Sequence, residues 1–80
     1  MSLMASPLTQ RIADTIRREL RSREIKAADL GRYLYTDATP NARALRISRR
    51  LNGDIPFSVD ELEAVGDFLG VPIELLLEAA

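Results

Sequence analysis

Apolar side chains recur along this chain at helical spacing, and no stretch alternates as a half-buried strand would. Leu8, Ile12, Ile16 and Leu20 stand four residues apart and predict a first helix from about Pro7 to about Arg23. Ser6-Pro7 marks its start, because serine can accept from the free amide groups and proline gives up an N–H that had no partner. A short second helix is predicted by Ala27, Leu30 and Leu34, with Ile25 packing from just outside. Lys26 is a poor cap for it, and Gly31 costs about 1 kcal/mol against alanine in a helix interior. Close approach of another helix is the simplest reason for that glycine.

Thr36-Asp37-Ala38-Thr39-Pro40 interrupts the periodicity, and Thr39-Pro40 repeats the cap-plus-proline start. A third helix is predicted from about Pro40 to Asn52, closed by Gly53, a residue suited to the left-handed conformation past a helix end. Plotted at ~100° per residue, Ala44, Ile47, Ser48 and Leu51 share the face expected to turn inward, and Arg43, Arg46, Arg49 and Arg50 fill an arc of roughly 120° on the far side. Ser58 and Glu61 form a capping box for a fourth helix, with Phe57 placed to staple onto Leu62. Leu62, Val65 and Leu69 are its inner stripe, Phe68 widens it and Gly70 stops it. Val71-Pro72 opens a fifth helix whose Leu76 and Leu77 are expected to cap the core. The expectation is therefore one compact all-α domain of five short helices over residues 7–80. Residues 1–6 are expected to be a disordered N-terminus, Met1-Ser2-Leu3 before Met4 reading as a cloning remnant.

Charge changes the picture. Residues 1–50 hold all eleven basic side chains against five acids, a balance of +6; residues 51–80 hold seven acids and no base, −7, so the formal −1 and the pI of 5.3 conceal a strong segregation. No acid occurs between residues 38 and 53. A merely solvated helix normally mixes signs for i,i+4 pairing, so four arginines on one arc point to a polyanionic partner. Helix 1 does mix signs, with Arg11, Arg17, Arg18 and Arg21 beside Asp14 and Glu19, and reads as an ordinary solvated face. Tyr33 and Tyr35 at the end of helix 2 are expected as core or rim residues, and with only four aromatics no stacking platform for RNA is visible.

Other classes are disfavoured by what the chain lacks. It has no cysteine and no histidine, so disulfide frameworks, the usual zinc sites and the commonest general base are absent; no metal, cofactor or enzymatic activity is expected. No apolar run approaches the ~20 residues of a membrane span, and a cytoplasmic location is expected.

The run from Ile47 through Ser48-Arg49-Arg50-Leu51-Asn52-Gly53-Asp54, then Phe57-Ser58-Val59-Asp60-Glu61-Leu62 and Phe68-Leu69-Gly70-Val71-Pro72, resembles the lambda-repressor and Cro-like helix-turn-helix family. Ile25 to Gly31 looks like that family's second helix, with Gly31 replacing the usual small alanine against the recognition helix. The resemblance implies a helix-turn-helix made of helices 2 and 3 and sequence-specific binding of double-stranded DNA. It implies a transcriptional regulator of bacterial or phage type, expected to be a repressor in the nucleoid, acting as a homodimer at least on DNA. This chain spends 17 positions from Leu30 to Ile47, about six more than the family uses, so the turn is longer or a flanking helix extended. Anchored at Gly53, the resemblance assigns base reading to Arg46, Arg49 and Leu45. Arginine suits that task, since its planar fork donates two hydrogen bonds to guanine O6 and N7. Arg43, Arg50, Lys26, Arg32 and Asn41 are assigned to phosphates. The alternative is a protein-interaction module, such as an antitoxin or phage regulator, docking a basic partner through the acidic helices 4 and 5.

Overall fold

The computed structural model describes residues 6–78; the expectations for residues 1–5 lie outside that range. The described residues form five helices: α1 (Pro7–Ser22), α2 (Ala27–Leu34), α3 (Pro40–Leu51), α4 (Val59–Leu69) and α5 (Ile73–Glu78). Local signals set their ends as expected. Ser6 and Thr39 each accept from the amide three residues on, ahead of a proline at the first helical position. Ser58 and Glu61 close both halves of a capping box. Lys26 gives α2 no side-chain cap. Gly53 and Gly70 take left-handed φ values of 80° and 74° after α3 and α4. The same turn after α1 falls on Glu24, at φ 57°, where Ile25 N–H reaches back to Leu20 O.

The core is one cluster contributed by every helix: Ile12, Ile16 and Leu20, then Leu30, then Ile47 and Leu51, then Leu62, Val65 and Leu69, and finally Leu76. Full burial of such a side chain is worth about 1.5–3 kcal/mol, so the cluster is the main source of cohesion. Phe57, Phe68, Ile25 and Leu34 pack partly buried against it. The Cα radius of gyration, 11.8 Å, matches the ~12 Å of a compact domain of this length. Two polar ties close the ends of the bundle. Gln10 Nε2 donates to Gly53 O at 3.2 Å, and Arg23 Nη1 donates to Leu69 O at 2.8 Å, joining α1 to the ends of α3 and α4.

Two helical glycines face close neighbours. Ile47 Cγ2 lies 3.4 Å and Arg43 O 3.7 Å from where a Cβ on Gly31 would stand, so α3 crosses α2 there, as the sequence suggested. At Gly66 the fit is tighter: a Cβ would meet Val71 O at 2.6 Å, because the chain folds back over α4 to begin α5.

Several expectations of burial fail, and Ala27 at the start of α2 is exposed although it was placed on the helix 2 stripe. Leu8 is 50% exposed, because the first turn of α1 extends past the core, which begins at Ile12. Leu77 is exposed, since a helix as short as α5 turns a single leucine, Leu76, fully inward. Ala44 and Ser48 are exposed too: the crossing at Gly31 aims α3 inward through Ile47 and Leu51 alone. The arginine arc is consequently rotated toward the core, leaving Arg43 and Arg50 half-buried on its inner edge.

Candidate nucleic-acid interface

Helix α3 packs against α2 and α1 and leaves its outer face open. With Ile47 and Leu51 inward, helical geometry turns Asn41, Leu45 and Arg49 outward at four-residue spacing, and all three are exposed. Leu45 is 51% exposed. Arg49 forms no ion pair and no side-chain hydrogen bond among the described residues, although its carbonyl accepts from Asp54 N–H at 2.9 Å. Its five N–H donors remain available to an external acceptor.

The other three arginines of α3 lean toward the connection Tyr35–Thr39 and the start of α4. Arg43 Nε donates to Ala38 O at 2.9 Å, satisfying a carbonyl of the turn. Arg50 Nε lies 3.0 and 3.1 Å from the two carboxylate oxygens of Glu61, and its Nη1 donates to Arg46 O at 3.0 Å. The Arg46 guanidinium carbon lies 5.6 Å from the centroid of the Tyr35 ring, and that of Arg50 lies 5.5 Å from it. Both are within cation–π range. Arg46 remains exposed and lines a recess of about 330 Å³ beside Tyr35, Thr36 and Asp37.

Glu61 is the hub of this flank. It accepts from Ser58 N–H at 2.8 Å, from the Tyr35 hydroxyl at 2.6 Å and from Arg50. Burial alone would raise its pKa, but the Ser58 amide, the Tyr35 hydroxyl and the Arg50 charge outweigh burial and hold it below the ordinary 4.5. Burial first, then the hydrogen bond to the Glu61 carboxylate, pushes the Tyr35 hydroxyl above its ordinary value of 10. No local pattern pointed to the Tyr35–Glu61–Arg50 contact, which spans 26 residues and exists only because α2, α3 and α4 meet.

The remaining site residues lie apart from this flank. Lys26 is exposed at the N-terminus of α2, and Asn41 is exposed in the first turn of α3. Arg32 is exposed on the last turn of α2 and paired with Asp29. Where Ala44 and Ser48 had been expected to pack, an open groove of about 460 Å³ runs between α3 and the end of α1. Arg17 and Arg21 of α1 and Ala27 and Ala28 of α2 form its other walls, so part of the α1 basic face lies beside α3. Sequence periodicity could not foresee this, because alanine and serine fit either side of a helix.

No group of three acidic side chains able to hold a metal ion occurs among the described residues, and no described helix is long and apolar enough to cross a membrane. No protein-family model, curated protein or solved structure matches the chain.

Proposed function

We propose that this protein is a sequence-specific double-stranded DNA-binding domain, a transcriptional regulator of the bacterial or phage type. In this reading α2 and α3 act as a helix-turn-helix of the lambda-repressor and Cro-like kind, with the connection Tyr35–Thr39 as an extended turn. The observation that carries it is the outer face of α3, where Arg49, unpaired among the described residues, stands beside a half-exposed Leu45 on a helix that contains no acid. An α-helix fits the major groove; a free arginine there reads guanine, and an apolar side chain suits the thymine methyl group. Lys26, Asn41, Arg32 and the partly exposed edge of Arg43 supply sequence-independent attraction to phosphates. Arg50, committed to Glu61, contributes through the shape of the flank more than through free charge.

Selection of preferred sites from a random duplex pool, followed by titration at several salt concentrations, tests the proposal. A preferred site should emerge, and the logarithm of affinity should fall linearly with the logarithm of salt. Arg49→Ala is expected to erase preference at one base pair, a loss of about 1–3 kcal/mol confined to that position. Lys26→Ala is expected to weaken all sequences alike and to lower the salt slope by about one. Binding that ignores both salt and sequence would sink the proposal.

A second contact is favoured by Leu75 and Leu77, both exposed on an α5 that also bears Glu74 and Glu78. On DNA this helix is a natural seam for a homodimer, whose half-sites would lie about 34 Å apart, and symmetry in the selected sites would report it. Off DNA, the same acidic and apolar surface suits a basic protein partner.

A further inference from the structure

Tyr35 is the first residue past α2, where the chain turns toward α3. Its ring faces two guanidinium groups of α3, and its hydroxyl is tied to Glu61, which Ser58 N–H and Arg50 hold in turn. The hydroxyl end of the ring is thus held from α4, and its other end by its own backbone. The two arginines are not equivalent. Arg50 has a carboxylate partner, whereas the side chain of Arg46 has only the face of Tyr35 among the described residues. Attraction to an aromatic face restrains a guanidinium through its charge and leaves its in-plane N–H groups free to donate. Arg46 is therefore ordered yet unsatisfied, the state that favours a directional contact over a diffuse one.

We propose that Tyr35 is a specificity-determining positioning residue: anchored by Glu61, its ring orients Arg46 so that this arginine reads one base pair of the duplex without Tyr35 itself touching DNA. This rests on the DNA-binding reading above. Without the ring, the long Arg46 side chain samples phosphates and bases alike, and its contribution spreads over all sequences.

The experiment takes the preferred duplex selected by the wild-type chain and measures affinity for it and for every single-base-pair change. Arg46→Ala identifies the base pair read by Arg46. Tyr35→Leu is expected to lose roughly tenfold or more in discrimination at that same pair, with affinity for scrambled duplex altered less than about twofold. Combining Tyr35→Leu with Arg46→Ala should cost no more than Arg46→Ala alone, because the two act in series. Tyr35→Phe should fall between wild type and Tyr35→Leu, since the ring remains but its hydroxyl anchor on Glu61 is lost. Pentafluorophenylalanine at position 35 preserves ring shape while reversing its electrostatic face, and should behave as Tyr35→Leu even if the leucine variant folds poorly. Wild-type discrimination in the pentafluoro variant, a loss spread evenly over all positions, or additive costs in the double variant would overturn the positioning role alone. Absence of any sequence preference in the wild-type chain would overturn the functional reading and this one together.

Discussion

Gly31 stands where α2 and α3 cross, with room for little more than a methyl group. The nearest side-chain atom, Ile47 Cγ2, lies 3.4 Å from the position a Cβ would take, an ordinary contact distance, while anything longer would run into α3. Gly31→Ala is therefore expected to raise stability by about 0.5–1 kcal/mol, the backbone entropy that glycine forfeits in a helix. Gly31→Leu should lower it by about 1–3 kcal/mol through overpacking. Urea denaturation with unchanged m-values checks both, and a destabilised alanine variant would mean a tighter crossing. The crossing at this glycine was legible in the sequence, although the spacing there leaves room for a methyl group and does not require glycine. The role of Tyr35 was not legible. As a tyrosine at a helix end it reads as core or rim, and its partners Arg46, Arg50 and Glu61 are assembled by tertiary packing.

Helix ends were the most readable elements, since a cap is a local bargain between a side chain and amides a few residues away. The Ser58–Glu61 box shows both the power and the limit of such reading: the motif located the start of α4, yet Glu61 also binds α2 and α3 through Tyr35 and Arg50. Its carboxylate titrates below the ordinary 4.5 in the folded chain, so it binds its proton less readily there than when unfolded. The stability it contributes is thus fully present above the unfolded pKa and is lost as pH falls through the lower, folded value. Glu61→Gln should remove that part of the acid dependence: melting temperatures of wild-type and variant should converge as pH drops below about 4. A constant gap across that window would show that the carboxylate charge is immaterial. The rotation of α3 about its axis was less readable than its ends. Two buried side chains, Ile47 and Leu51, define its inner direction, and small Ala44 and Ser48 do not weigh on the choice.

Across the whole molecule, the sequence segregates its charge more sharply than the fold does. Glu61 is drawn from the acidic half against Arg50, so α3 and α4 meet across opposite charges, whereas Asp60, Glu63 and Asp67 remain exposed. Under the DNA-binding proposal, association with duplex DNA should slow steeply as ionic strength rises, because the exposed basic side chains would meet its phosphates. Stopped-flow rates that hold constant between low and physiological salt would speak against such steering. All five helices could be placed from periodicity and caps, because in a small all-helical chain nearly every element announces its own boundaries. The groove beside α3 could not, because it depends on how three helices cross.

The close fold-back over Gly66 reaches beyond this one chain. With Val71 O standing 2.6 Å from the site of any Cβ, no side chain enters position 66 without moving backbone, whereas Gly70 has open space around it and is constrained only by its left-handed turn. Descendants of the same ancestor can thus take alanine at 31, and asparagine at 70 at the modest cost of its left-handed turn. At 66 they inherit glycine or a different path into the last helix.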